Sequence, residues 1–252
     1  MESSPLEFIV VAEARADAQI ACELADRVFV EDEESPGWLD EDLLKHLRVW
    51  AGFERGTTFT KRASIKQFAR QRRIGPIGHR RAGGPGSIGF AEARKTIILA
   101  ERLMNGRSIH ALLLIYDLDT QAEQKAGMEE ARTEVNEDVL WVVIGAVNPK
   151  REAWVLNGFE PETPAEDKLL AELRQDLGFN PCERAERLTA KKDTSKRSAK
   201  RIVGVLTRDS YEREKKCWRE TAPEILKERG EATGLRDYLE ELRVRLLPLL
   251  KR

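Results

Sequence analysis

Ala111-Leu-Leu-Leu-Ile-Tyr116 is an unbroken apolar run, and Asp117-Leu-Asp119-Thr120 follows it directly. A run of this length predicts a strand that is buried on both faces, as in a parallel sheet covered by helices. After a charged helix over about 121–135, Leu140-Trp-Val-Val-Ile144 predicts a second buried strand. Strand, helix and strand alternate as in βαβ units, so we expect an α/β fold with a mostly parallel sheet.

The flanking segments extend this pattern in both directions. Phe8-Ile-Val-Val11 predicts another strand, and Ile20, Leu24 and Val28 recur behind it at helical spacing. A second amphipathic helix and a short strand within 49–53 follow. Beyond about residue 160, helical patterns dominate, at 162–177, 198–206, 213–229 and 234–249. We predict a catalytic core over 1–160 with an insertion at about 54–90, and a helical C-terminal region over 161–252.

The charge balance, the cysteines and the apolar stretches of the sequence indicate which classes of protein are excluded. Of the 252 residues, 43 are Lys or Arg and 44 are Asp or Glu, so any affinity for nucleic acid must come from local patches. The three cysteines are far apart and fit neither a disulfide framework nor a paired metal site. No stretch approaches the roughly 20 apolar residues of a spanning helix, and the N-terminus lacks a signal-peptide pattern. We expect a cytoplasmic protein without membrane association. The sequence leaves the oligomeric state open, and a homo-oligomer is one of the alternatives.

Carboxylates stand at the ends of two predicted strands. Glu13 follows the first strand, and Asp117 and Asp119 end the long apolar run, with Leu118 between them pointing the other way. Ligands of open parallel sheets bind at the carboxyl ends of strands, and such hard oxygen ligands suit Mg²⁺ or Mn²⁺. Aspartates also terminate strands and cap helices, and Glu13 with Asp17 also suits the first turn of a helix.

The stretches Ile9-Val-Val-Ala-Glu13-Ala-Arg-Ala-Asp17 and Leu114-Ile-Tyr-Asp117-Leu-Asp119 resemble the Toprim catalytic module of topoisomerases, primases and overcoming-lysogenization-defect-type nucleases. In that family, the strand-end Glu and the two aspartates hold Mg²⁺ at the scissile phosphate. The resemblance implies a Toprim-like three-layer core in which Glu13 is a metal ligand or general acid/base. It also implies that Asp117 and Asp119 are metal ligands and that Asp17, where nuclease-type members carry a further helix acid, belongs to the metal site.

Val142-Val-Ile-Gly145 and Pro149-Lys-Arg-Glu152-Ala-Trp154 are similar to small bacterial Toprim-like proteins of uncharacterised function, some encoded beside ATPases in phage-defence loci. This similarity implies Glu152 as a ligand of a second metal, an ATPase partner and a role in antiviral defence. Trp154 is interpreted as a core or interface aromatic in preference to a base-stacking residue.

The sequence departs from the Toprim pattern in two ways. Ala14 stands where the family has Gly after its Glu, and about a hundred residues separate Glu13 from Asp117, which implies an insertion. The tyrosine nucleophile domain of a topoisomerase is not recognisable either. A two-metal hydrolytic cut of DNA or RNA therefore fits better than topoisomerase activity.

Two basic clusters are candidates for contact with phosphates, because each neutralised phosphate adds affinity through counterion release. The alternative is a solvated face or a surface for a partner protein. The predicted nucleic-acid-binding residues are Lys61, Arg62, Lys66, Arg70, Arg72, Arg73, Arg80, Arg81, Lys191 and Lys192.

Two rival functions remain open. Asp117-Leu-Asp119-Thr120 also resembles the first motif of haloacid-dehalogenase-type phosphatases, in which the first Asp is the nucleophile. That reading leaves Glu13 unexplained, and Leu140–Ile144 does not end in the acidic pair that the mechanism needs. The other rival is a catalytically silent Toprim-like subunit whose helices bind an ATPase.

Overall fold

The computed structural model describes residues 4–75, 77, 87–119, 121–137 and 139–251. The chain divides into two compact units. The first comprises Met1–Tyr116, Gln121–Gly145 and Glu240–Arg252, and the second comprises Asp117–Thr120 and Ala146–Leu239.

In the described part of the chain, five strands form one sheet: β1 (Leu6–Ala12), β2 (Arg48–Ala51), β3 (Thr60–Lys61), β4 (Ile109–Asp117) and β5 (Trp141–Val147). The strand order is β2-β1-β4-β5, and β3 also pairs with β1. β1 runs parallel to β2, β3 and β4. The prediction of an α/β fold with a mostly parallel sheet is confirmed.

The apolar runs fix the centre of the sheet. Residues 8–12 of β1 and 111–116 of β4 are buried on both faces, as the lack of alternating polar residues predicts. The two strands pair in register, with Val11 opposite Leu114 and Ala12 opposite Ile115. Their carboxyl ends therefore lie at the same edge of the sheet. At the other side of β1, β2 is only partly buried.

The helices of the first unit lie between these strands in the chain: α1 (Arg15–Glu31), α2 (Glu41–Leu47), α3 (Ile65–Gln71), α4 (Ser87–Leu103) and α5 (Ala122–Arg132). α1 packs on β1, and its buried residues include Ile20 and Leu24, while α4 packs on α5 and on α3. The sequence did not predict α3 or the 3-10 turn over Arg62–Ser64 before it. Both lie in the predicted basic insertion.

The second unit is helical: α6 (Arg151–Asn157), α7 (Pro164–Leu177), α8 (Ala199–Thr207), α9 (Tyr211–Arg219) and α10 (Pro223–Arg229). α11 (Leu235–Arg245) begins in it, and α12 (Leu247–Leu250) belongs to the first unit. The single helix predicted over 213–229 was wrong, because Pro223 starts a new helix and the Thr221 hydroxyl donates to the Gly158 carbonyl.

Trp154 anchors α6 inside the second unit. Its side chain is fully buried and its ring stacks on Tyr238, with centroids 5.0 Å apart. The indole Nε1 donates a hydrogen bond to the Thr233 carbonyl at 3.0 Å. The interpretation of Trp154 as a core aromatic is therefore confirmed. Within the described part of the chain, no helix combines the length and apolarity needed to cross a bilayer.

Candidate active site

Glu13 lies in the first unit, where the chain passes from β1 to α1. Ala14 is extended, and its N–H donates to Asp17 Oδ2 at 2.6 Å, so Asp17 stabilises the first turn of α1. Asp17 is buried, whereas the side chain of Glu13 is 34% exposed. A short, well-defined turn thus presents the Glu13 carboxylate at the end of the central strand.

Glu13 is paired with Arg62, which also binds Glu92 of α4. Arg62 Nη1 donates to Glu13 Oε1 at 2.5 Å, while Nε and Nη2 donate to Glu92 Oε2 at 3.0 and 2.7 Å. Burial alone would lower the pKa of Arg62, but the carboxylates of Glu92 and Glu13 hold that pKa above its ordinary value. The Arg62 guanidinium therefore pairs with two carboxylates, so the formal charges of Arg62, Glu13 and Glu92 sum to one negative charge.

Neutral side chains surround this cluster. The Arg62 guanidinium lies 4.2 Å from the ring centroid of Tyr116, the penultimate residue of β4. Gln124 of α5, with its amide oxygen turned toward Arg62, accepts hydrogen bonds of 3.0 and 2.7 Å from Nη1 and Nη2. The Tyr116 hydroxyl lies 3.4 Å from Thr96 Oγ1. Burial raises the pKa of Tyr116, so this side chain, like Gln124, carries no charge at neutral pH.

Asp117 and Asp119 belong to the second unit, on a turn that is fixed by backbone hydrogen bonds. Leu118 N–H donates to the Val147 carbonyl at 2.8 Å, and Asp119 N–H donates to the Pro149 carbonyl at 3.0 Å. Asp119 has a positive φ of 46°, in the left-handed region that Asp tolerates better than most residues. Leu118 is buried and Asp119 is exposed, so the turn directs the second aspartate toward solvent.

The start of α6 adds further charged groups to the second unit. The Arg151 N–H donates to Asp117 Oδ1 at 3.2 Å, and Lys150 Nζ lies 3.6 Å from Asp119 Oδ1. Glu152 lies 3.6 Å from Arg151 Nη2. Each acid predicted in this unit therefore has a donor or a cation of the same segment beside it.

The predicted metal ligands are thus divided between the units, with Glu13 and Asp17 in the first and Asp117, Asp119 and Glu152 in the second. Within the described residues, no group of three or more His, Cys, Asp or Glu side chains could hold a metal ion. The donor chemistry fits Mg²⁺, because these groups are carboxylates and Arg62 engages only Oε1 of Glu13. Binding of one cation by Glu13, Asp117 and Asp119 stays a prediction.

The basic segment beside Glu13 comprises residues 61–81, and it is largely exposed in the part that the structure describes. Lys61 is opposite Ala12 in the pairing of β3 with β1, and it is exposed. Phe68, the one aromatic of the segment, packs edge-on against Phe53 at 5.7 Å and is not presented for base stacking. The other exposed cations here are Lys66, Arg70, Arg72 and Arg73. Arg80 and Arg81 lie outside the described residues, and Lys191 and Lys192 are exposed in the second unit.

A cavity of about 450 Å³ lies near the amino end of β1 and is lined by Glu7, Trp50, Arg55 and Arg107 among others. Arg107 Nη2 pairs with Glu7 Oε1 at 2.5 Å, so these two charges compensate each other, and Arg55 Nη2 donates to the Gly106 carbonyl. Because ligands of parallel sheets bind at the carboxyl ends of strands, the edge that carries Glu13 is the better candidate.

Sequence reasoning missed Glu92, Gln124 and Tyr116 as members of the site. Glu92 and Gln124 lie on α4 and α5, where an isolated polar residue indicates only a solvated face, and Tyr116 was interpreted as part of an apolar run. Comparison with protein-family models, curated proteins and solved structures gave no match. The Toprim resemblance therefore still depends on the residues quoted for it.

Proposed function

We propose that this protein is a Mg²⁺-dependent phosphodiesterase that hydrolyses nucleic acid. The observation that carries the proposal is the register of β1 and β4, in which Ala12 is opposite Ile115. One strand is followed by Glu13 and the other ends in Asp117, at the edge where parallel sheets bind ligands. The left-handed backbone of Asp119 also supports the proposal, because such conformations concentrate at functional sites.

Each proposed residue has a distinct part. Glu13, Asp117 and Asp119 bind the metal, Asp17 fixes the turn that carries Glu13, and Glu152 serves a second ion. When bound, divalent metal supplies activation of water and stabilisation of charge on the phosphate and the leaving oxygen.

The exposed cations of the basic segment support a polyanionic substrate. Lys66 and Arg70 are four residues apart and exposed on one side of α3, whereas Ile65 and Ala69 are buried, and Arg73 is exposed in the turn that follows the helix. None of these cations forms an ion pair with another residue of the described chain. We propose that they contact the phosphate backbone of DNA or RNA next to Glu13.

Plasmid DNA and a long RNA, each incubated with the purified protein and Mg²⁺ or Mn²⁺, test the proposal. We expect metal-dependent cleavage that is lost in Glu13→Gln and Asp117→Asn. Asp42→Asn, an exposed acid of α2 paired with Lys45, is the matched control and should cleave normally. Intact substrates with the wild-type protein, or equal cleavage by Asp117→Asn, would refute the proposal.

A second candidate is a silent subunit that binds an ATPase. Trp38 is 59% exposed and Val49 of the edge strand β2 is 41% exposed, which indicates apolar surface on the first unit. An inert protein that forms a stable complex with an ATPase would favour this function. For either candidate we propose a cytoplasmic, reducing setting, because Cys22, Cys182 and Cys217 are free thiols.

The phosphatase alternative draws support from Lys150, since that chemistry needs a lysine near its aspartates. It assigns the nucleophile to Asp117 and gives no role to Glu13 or to the basic segment. Release of phosphate from a small monoester, with a covalent aspartyl intermediate at Asp117, would favour it.

A further inference from the structure

Arg62 differs from every other described cation of the basic segment. Its side chain is 20% exposed and paired with two acids, whereas Lys61, Lys66 and Arg70 are exposed without an ion pair to a described residue. A guanidinium used in this way is poorly placed to contact a phosphate backbone, which was its predicted role. The structure points to a different use for this residue.

The position of the Arg62 guanidinium is set by groups other than Glu13. Nε and Nη2 are held by Glu92, the plane lies over the Tyr116 ring, and the Gln124 oxygen accepts from Nη1 and Nη2. These supports come from α4, β4 and α5, three elements of the first unit that are packed into its core. The planar guanidinium donates in fixed directions, so Nη1 is aimed at Glu13 in advance.

This arrangement restricts the Glu13 carboxylate. Arg62 engages Oε1 at 2.5 Å, and no other hydrogen bond to the Glu13 side chain comes from the described residues. The second oxygen, Oε2, is therefore the one left to bind a cation, and the bond to Oε1 limits the rotation of the carboxylate.

We propose that Arg62 is a positioning residue that orients Glu13, and that Glu92 in turn holds Arg62. This inference rests on the proposed metal-dependent cleavage and adds two residues to that site. Arg62 contacts neither metal nor phosphate in this role; it acts through Glu13. Groups that orient a ligand in this way change activity or metal affinity by roughly 10–100-fold when they are removed.

Steady-state cleavage kinetics separate positioning from phosphate binding. Arg62→Gln should lower kcat by roughly 10–100-fold with little change in the KM for nucleic acid, and should weaken Mn²⁺ binding by a similar factor. Glu92→Gln should change kcat in the same direction by a smaller factor, since it removes only one support of Arg62. Arg70→Gln, a cation of the same segment, should instead raise KM and leave kcat close to wild type.

Three measurements separate positioning from a general loss of structure. Arg27→Gln removes another paired arginine of the first unit, whose partner is Glu31 on the same helix, and should leave kcat and KM unchanged. In Arg62→Ala, added guanidinium at low millimolar concentration should restore part of kcat, as a merely misfolded variant could not. Circular dichroism of each variant verifies the fold.

The outcomes distinguish this inference from the proposed function. An active wild-type protein with Arg62→Gln behaving like Arg70→Gln, a higher KM at normal kcat, overturns the positioning role and leaves the nuclease proposal intact. Failure of guanidinium to restore any activity to a folded Arg62→Ala variant also overturns it. A wild-type protein that cleaves neither DNA nor RNA with Mg²⁺ or Mn²⁺ overturns both.

Discussion

Removal of two cations from α3 should weaken nucleic-acid binding in a way that salt reveals. Lys61, Lys66, Arg70, Arg72 and Arg73 are exposed. If each neutralises one phosphate of a duplex, log K should fall with log salt with a slope of about −4.5. Lys66→Gln combined with Arg70→Gln should reduce the slope to about −2.7, because about 0.9 is lost per contact.

Fluorescence anisotropy with a short labelled duplex measures these slopes between roughly 50 and 200 mM salt. The titrations are run in EDTA, so that metal-dependent cleavage does not change the substrate. Lys168→Gln, an exposed cation of α7 that pairs with Glu172, is the charge-matched control and should keep the wild-type slope. An unchanged slope in the double variant would show that α3 does not contact the backbone, and the basic segment would then lose its proposed role.

Three further predictions concern metal, thiols and the core. Saturating Mg²⁺ should raise the Tm of the wild-type protein and leave that of Asp117→Asn unchanged, since a ligand stabilises only the state that binds it; equal shifts would contradict a role for Asp117. Burial raises the pKa of Cys182 and Cys217 to about 12, so neither thiol should react with a disulfide reagent at pH 8 until the chain unfolds. Because these folded-state pKa values are raised, the thiols contribute stability below their unfolded pKa, and that contribution is lost as pH rises toward 12. Trp154→Ala should lower the free energy of unfolding by about 3–5 kcal/mol, measured by urea denaturation, because it removes a buried stacked ring and an indole hydrogen bond.

The fold was predictable where the sequence carries long apolar runs. β1, β4 and β5 appear as such runs, since strands that are buried on both faces leave no alternation to interpret. β3 could not be predicted, because a strand of two residues is too short to show a hydrophobic pattern. It is defined only by its pairing with Val11 and Ala12 of β1. α6 was missed for a related reason: its seven residues include five that are buried, so no amphipathic period marks it.

The candidate site was predictable only in part. Glu13 and Asp117 could be singled out because each follows an apolar run, and the end of a strand is a local property of the chain. Glu92 and Gln124 reach the site only through the packing of α4 and α5, which no local pattern encodes. Whether Glu92 and Gln124 belong to the site therefore depends on tertiary contacts between segments that are far apart in the chain.

Arg62 shows why a run of like charges misleads. Its neighbours in the basic segment are also positively charged, so composition alone predicts contact with phosphates for all of them. Arg62 begins the 3-10 turn before α3 and precedes Ile65, a buried residue of α3, by three residues, the spacing at which side chains of a 3-10 helix lie on the same side. By helical spacing it therefore falls on the inward side, whereas Lys66 and Arg70 fall on the outward side.

The two kinds of ion pair at the candidate carboxylates differ in strength, and this difference bears on metal binding. Lys150 and Asp119 are 43% and 55% exposed and 3.6 Å apart, and pairs of this kind contribute about 0–1 kcal/mol, so a cation could displace the lysine from Asp119 at little cost. The Arg62 pairs are more sheltered and have shorter contacts, and the guanidinium is also held by Gln124 and Tyr116. A cation would therefore bind Glu13 through Oε2 with Arg62 still in place, because breaking the Arg62–Glu13 pair would deprive a partly buried guanidinium of one of its two acids.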